Sequence, residues 1–386
     1  MRASRTLLVG ATGLALVLLP AHSAAADGIR AQQWGLGAVR AESAWTTTKG
    51  RGATVAVLDT GVDADHPDLA GNVLPGKDLV GFGAHAGQEH WAEHGSAMAG
   101  IIAAHGHGPG AADGVMGIAP EARILPVRVI LEDEDPQRPR AGRTRGEALA
   151  EGIRWAADHG ADVINLSLGD DSTEARPQPA QDAAVRYALG KNVVVVASAG
   201  NDGEKGDHVS YPAAYPGVIA VTAVDRYGEH ARFSTRRWYA TVAAPGDDIV
   251  TLNPDLRYYE GWGTSAAAAF VSGTAALLRA AHPGLAPDRV RALLEQTASA
   301  RPSGGHDDAR GFGTVDARAA LAAAAKEDPE HLRTATEHAR YFGKGPTPLP
   351  HGGGGTLPWT VPAAATVGAV FLGAAALLWR RGRGAR

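Results

Sequence analysis

The sequence contains no cysteine, so it can build neither a disulfide framework nor a thiolate metal site. It also lacks the concentrated positive charge with which nucleic-acid binders displace counterions. The formal net charge is −4 over 386 residues; with the six arginines near the termini set aside (Arg2, Arg5, Arg380, Arg381, Arg383 and Arg386), the remainder carries −10. No phosphate-cradling glycine loop follows an early strand, which argues against a nucleotide-binding α/β protein. What remains is a globular composition, 45% hydrophobic and 20% charged, sufficient for one large core or two ordinary ones.

Both ends read as targeting segments. Residues 1–26 join an arginine-bearing start, an apolar run and Ala24-Ala25-Ala26, the pattern of a secretory signal cleaved before Asp27. Residues 326–360 are rich in Pro, Gly and charge, include Gly352-Gly353-Gly354-Gly355, and read as a stalk. Residues 361–380, uncharged up to Trp379, are long enough for one membrane-spanning helix, and the basic tail 381–386 is expected to stay cytoplasmic. That orientation leaves residues 27–325 as a domain outside the membrane.

Within that domain, short apolar runs alternate with helical stretches. Ala53 to Gly61, residues 123–130, 161–169 and 192–198 read as strands, with later strands at 218–223 and 240–244 and a turn-bounded extension at 246–252. Helices are expected at 37–46, 145–159, 179–189, 264–282, 287–298 and 317–325. Such alternation implies an α/β fold, a mainly parallel sheet with helices on both faces. Residues 131–144 interrupt it with Glu132-Asp133-Glu134-Asp135 followed by Arg138, Arg140 and Arg143, and read as a solvated loop whose charges neutralise each other.

Three polar residues stand at element ends. Asp59 closes a strand, where open α/β sheets place their chemistry, although aspartate is also a common turn former there. His94 opens a helix dense in small residues, Gly95-Ser96-Ala97-Met98-Ala99-Gly100, which suits close packing. Ser265 opens another, in Gly263-Thr264-Ser265-Ala266-Ala267-Ala268-Ala269, where unpaired N–H groups favour developing negative charge. Its own residues fit an ordinary N-cap equally well. A zinc site from His85, His90 and His94 lacks a fourth ligand; no metal and no cofactor are assigned.

The stretches Val57-Leu58-Asp59-Thr60-Gly61-Val62-Asp63, His94-Gly95-Ser96-Ala97-Met98-Ala99-Gly100 and Gly263-Thr264-Ser265 closely resemble the three signatures of subtilisin-like serine proteases, in that family's order. The likeness runs from about Trp34 to Ala320 and takes in Asp65-His66-Pro67-Asp68-Leu69, Asn165-Leu166-Ser167-Leu168-Gly169, Ala199-Gly200-Asn201-Asp202 and Tyr211-Pro212-Ala213-Ala214-Tyr215-Pro216. The resemblance implies the subtilisin-like three-layer fold. It makes Ser265 the nucleophile, His94 the general base and Asp59 its orienting carboxylate, with Asn201 in the oxyanion hole and Ser167, Leu168 and Gly169 along the substrate. It implies a peptide or protein substrate and no cofactor. Asp68 aligns with a calcium ligand of some relatives, but no partner ligands are recognisable.

The chain departs from the family pattern at Ala269, where proline is common, and at Ser96, where threonine is common. Residues 27–52 are too short for the folded pro-domain many relatives carry. That shortness, the Ile29-Arg30-Ala31-Gln32-Gln33-Trp34-Gly35-Leu36 opening, the stalk and the terminal anchor resemble the mycosin branch, membrane-anchored proteases of type VII secretion systems, although mycosins often carry disulfides. The resemblance therefore implies a membrane-anchored endopeptidase with type VII secretion components as partners. The alternative is a protease-fold scaffold that stabilises a secretion complex.

Overall fold

A computed structural model describes residues 28–327. Its centre is a seven-stranded sheet in the order β2-β5-β1-β6-β7-β8-β9, in which every neighbouring pair is parallel. The strands are β1 (Thr54–Asp59), β2 (Lys77–Asp78), β5 (Arg123–Arg128), β6 (Val163–Leu166), β7 (Val194–Ser198), β8 (Ile219–Val224) and β9 (Ala240–Pro245). Two antiparallel hairpins stand apart, β3 (His105–His107) with β4 (Asp113–Met116) and β10 (Ile249–Leu252) with β11 (Tyr258–Gly261). The expected extension at 246–252 is thus the first strand of a hairpin outside the main sheet.

The apolar runs lack a hydrophobic-polar alternation because both faces of the sheet are covered. Val55 and Val57 of β1, Val194 and Val196 of β7, and Ile219 and Val221 of β8 enter one core. Their neighbours Ala56, Leu58, Val195, Ala197 and Ala220 enter the other. The first core is closed by helices α3 (Glu93–Ala103) and α7 (Thr264–Ala281), with α8 (Pro287–Thr297) and α9 (Ala317–Ala324) beyond; the second is closed by α5 (Ala148–Asp158) and α6 (Pro179–Gly190). The expected three-layer architecture is present.

Two local readings need correction. The helix expected at 37–46 is split into α1 (Trp34–Ala38) and α2 (Ala41–Ala44), because Arg40 takes a left-handed φ of 56°. Residues 131–144 are only partly a solvated loop: α4 (Arg138–Thr144) forms there, and Glu132 and Asp135 turn inward to 7% and 4% exposure. The reason is a small apolar cluster of Val80, Leu131 and Ala141 that pins the segment down, while Asp135 accepts the Ala84 and Gln137 N–H groups at 2.9 and 2.7 Å.

From β1 the chain reaches β5 on one side, then crosses to β6 on the other. That reversal opens a crevice at the carboxyl ends of β1 and β6, where α/β sheets take their ligands. The segments read as signal, membrane helix and basic tail, and the stalk from residue 328 onward, lie outside the described residues. Among the described residues no helix is long and apolar enough to cross a membrane.

Candidate active site

Asp59 ends β1 and is fully buried. Its backbone carbonyl is tied to the segment that follows β5, accepting from Val129 N at 2.9 Å. His94 lies in the first turn of α3, and His94 Nδ1 is 2.8 Å from Asp59 Oδ1. The same carboxylate oxygen accepts the Thr60 N–H at 2.8 Å. A carboxylate at that distance fixes the proton on Nδ1, leaving Nε2 as the basic nitrogen. The approach depends on Gly95, since a Cβ there would sit 1.9 Å from the Gly61 carbonyl oxygen. The expected density of small residues in this helix therefore has a definite use.

Burial opposes charging His94, but Asp59 outweighs it through charge and hydrogen bond, with Glu132 and Asp133 adding. The imidazole pKa is pushed up to about 9. A third of the side chain, 34%, stays accessible to the cleft.

Ser265 is the second residue of α7, a helix buried from Thr264 to Arg279 at every position except Ser265. Core packing thus holds the helix while one hydroxyl is presented to the crevice. Gly263 precedes it with φ 145°, a conformation that favours glycine. A Cβ on Gly263 would lie 3.7 Å from both Asn201 Nδ2 and Ser265 N, so the glycine leaves open a space flanked by two N–H donors. The amide of Asn201 is oriented by its other end, Oδ1, which accepts Thr264 N at 3.0 Å and Thr264 Oγ1 at 2.9 Å.

Ser265 Oγ donates to Ser167 O at 3.2 Å. No hydrogen bond joins it to His94 here, although both residues line one cavity of about 770 Å³ together with Ser167, Leu168, Gly169 and Asn201. Six of the seven residues singled out in the sequence thus line one crevice, and the seventh, Asp59, lies buried behind His94. Behind it runs a buried chain of side chains: Ser272 Oγ donates to Asn165 Oδ1 (2.9 Å), Asn165 Nδ2 to Ser167 Oγ (3.0 Å), and Ser167 Oγ to Ser265 O (2.8 Å). Ala269 is fully buried, and α7 continues unbroken through it.

Sequence reasoning missed Thr60, Glu132, Ser210 and Trp262, all of which line the same cavity. Thr60 adjoins Asp59 and could have been found by position. Glu132 lies in an acidic run that carries no periodic signal. Among the described residues, none between Gly28 and Gly52 lines this cavity.

His85, His90 and His94 do not converge: His94 is engaged by Asp59, while His90 lies 3.7 Å from Glu93. Asp68 is surrounded by donors, meeting His107 Nδ1 at 2.6 Å, Val115 N at 2.9 Å and Tyr258 OH at 3.0 Å. Among the described residues no three His, Asp or Glu side chains are grouped as metal ligands.

The profile of the subtilase family, peptidase S8, matches residues 50–313. Thermitase of Thermoactinomyces vulgaris is 39% identical over 267 residues, covering 69% of this chain and 88% of thermitase. Two other, longer relatives are spanned over 43% and 59% of their length. Among solved structures, MycP1 from Mycobacterium smegmatis superposes with a TM-score of 0.66 at 30% identity, covering 83% of this chain and 90% of MycP1. The MycP3 protease from the type VII (ESX-3) secretion system gives 0.60 at 33% identity, covering 75% and 87%.

Proposed function

This chain belongs to the subtilase family and is a subtilisin-like serine peptidase, and from that premise we propose that it is an extracytoplasmic endopeptidase acting through Ser265, His94 and Asp59. The observation that carries this reading is the buried Asp59 carboxylate 2.8 Å from His94 Nδ1, at the same cavity as the only accessible residue in the first turns of α7.

In the proposed cycle an extended peptide lies along Ser167, Leu168 and Gly169. The Ser265 hydroxyl turns from Ser167 O to His94 Nε2, passes its proton there, and Oγ bonds to the scissile carbonyl carbon. The oxygen that becomes negative enters the space beside Gly263, facing Asn201 Nδ2 and Ser265 N. Asp59 stabilises the imidazolium, which then protonates the departing amine as the C–N bond breaks. Water, deprotonated by His94, releases the acyl group from Ser265.

The sequence of residues 1–26 and 361–380 supports export and a single membrane anchor, giving five parts: signal 1–26, peptidase 27–325, stalk 326–360, membrane helix 361–380 and tail 381–386. The likeness to MycP1 and MycP3 supports work on protein substrates at a type VII secretion system. Treating the full-length chain with a fluorophosphonate and mapping the adduct tests the reading. A label on Ser265 that disappears in Ser265→Ala, together with peptide hydrolysis, is expected; hydrolysis undiminished in Ser265→Ala overturns it.

A further inference from the structure

A second carboxylate reaches the catalytic histidine from an unexpected direction. β5 is the neighbour of β1, with Asp59 opposite Arg128. The chain leaving β5 stays attached to β1, since Val129 N and Ile130 N both donate to Asp59 O at 2.9 and 3.4 Å. Leu131 then anchors in the cluster with Val80 and Ala141. The next side chain, Glu132, meets the beginning of α3: its Oε1 accepts the His94 backbone N–H at 2.9 Å. The carboxylate also takes the Thr60 hydroxyl, and Thr60 Oγ1 takes the Gly95 N–H at 3.1 Å.

The first turn of a helix leaves N–H groups unpaired, and a negative charge there is stabilising. Here Ala92, at φ 55°, offers no side-chain cap. Glu132 and Thr60 supply it from other elements. Keeping an ionisable side chain at 7% exposure is costly; burial, helped by Asp59, pushes the Glu132 pKa up against its two hydrogen bonds. An apolar side chain would avoid that cost but could not hold the His94 N–H.

We infer that Glu132 is a positioning residue for His94, an assignment that rests on the peptidase reading above: its carboxylate fixes the backbone from which the imidazole projects toward Asp59 and Ser265. Its charge also acts on the ring. His94 is faced by Asp59 from β1 and by Glu132 and Asp133 from the loop after β5, while Arg138 pairs with Asp133 at 2.7 Å. Tyr259 on β11 feels Glu132, Glu93 and Asp59 in turn. Since Glu132 favours the imidazolium, replacing its charge makes His94 easier to deprotonate.

The test is the pH profile of fluorophosphonate inactivation for the full-length wild type, Glu132→Gln and Glu132→Ala. Glu132→Gln keeps an acceptor oxygen but no charge. It is expected to hold the high-pH plateau within about threefold and to move the acid limb to lower pH. Glu132→Ala loses the cap as well as the charge and is expected to fall about tenfold or more on the high-pH plateau. A Glu132→Gln limb that coincides with wild type overturns the inference, as does a Glu132→Ala profile indistinguishable from wild type. If Glu132→Ala does not fold, the Glu132→Gln limb alone decides. A wild type that is not labelled on Ser265 overturns the peptidase reading and the inference with it, whereas a labelled wild type with an unmoved limb overturns only the inference.

Discussion

Ser265 and Ser167 exchange hydrogen bonds. Ser265 Oγ donates to the Ser167 carbonyl at 3.2 Å, and Ser167 Oγ donates to the Ser265 carbonyl at 2.8 Å. The start of α7 is thereby fastened to the end of β6. Ser167→Ala removes the return bond and strips Asn165 Nδ2 of its acceptor. A buried donor left unpaired costs roughly 1–3 kcal/mol, so urea denaturation should show a loss of that size, accompanied by a lower kcat. Unchanged stability would mean that the buried chain back to Ser272 does not hold Ser265 in place.

Asn201 has two separable duties. Its Oδ1 receives Thr264, and its Nδ2 faces the space beside Gly263. Asn201→Leu removes both; Asn201→Asp keeps the acceptor and removes the donor. Deleting such a donor in subtilisin costs on the order of 10²–10³ in kcat. A fall of that order with little change in KM is expected for both variants, with the larger loss of thermal stability in Asn201→Leu.

Activity and stability should run in opposite directions with pH. His94 holds its proton more tightly in the folded chain, at about 9 against the ordinary histidine value of 6.5. The Asp59–His94 pair therefore contributes fully to stability below about pH 6.5 and loses that contribution as pH rises through about 9. A general base must be neutral, so kcat/KM should climb over the same interval. Rate profiles and denaturation midpoints measured from pH 6 to 10 check both; a rate already level at pH 6 contradicts the assignment of His94.

Gly95→Ala should be among the most damaging small changes in the domain. The added methyl meets the Gly61 carbonyl oxygen at 1.9 Å, and backbone on both sides must move. Overpacking of this kind costs about 1–3 kcal/mol. Because the displaced turn carries His94, fluorophosphonate labelling of Ser265 should also slow in the fraction that folds. A variant with wild-type melting temperature and labelling rate would show that α3 and β1 have slack between them.

The sequence alone determined a good deal. Apolar runs too uniform for a half-exposed strand announced a sheet covered on both faces, and the glycines and alanines after His94 announced a helix in close contact. The three signatures, taken in order, carry a family resemblance that pointed to Asp59, His94 and Ser265, and the same resemblance pointed to Asn201 and to Ser167, Leu168 and Gly169. Asp59, His94 and Ser265 lie at the ends of β1, α3 and α7, where local turn and cap chemistry makes a polar residue visible but does not assign it a role.

Only the tertiary structure decided what lies across from them. The residues around Ser265 fit an N-cap as well as a nucleophile, and the family resemblance alone favoured the latter; that α7 is buried on every side of it is seen only in the fold, because burial is a property of neighbours far along the chain. Glu132 and Asp135 sat in a run of charge that reads as solvated, and they turn inward because Val80, Leu131 and Ala141 pack together and because β5 runs beside β1. Periodicity reports which face of one element is apolar. It carries no information on which carboxylate, 38 positions away, will find the open end of a helix, since that is set by strand order and register.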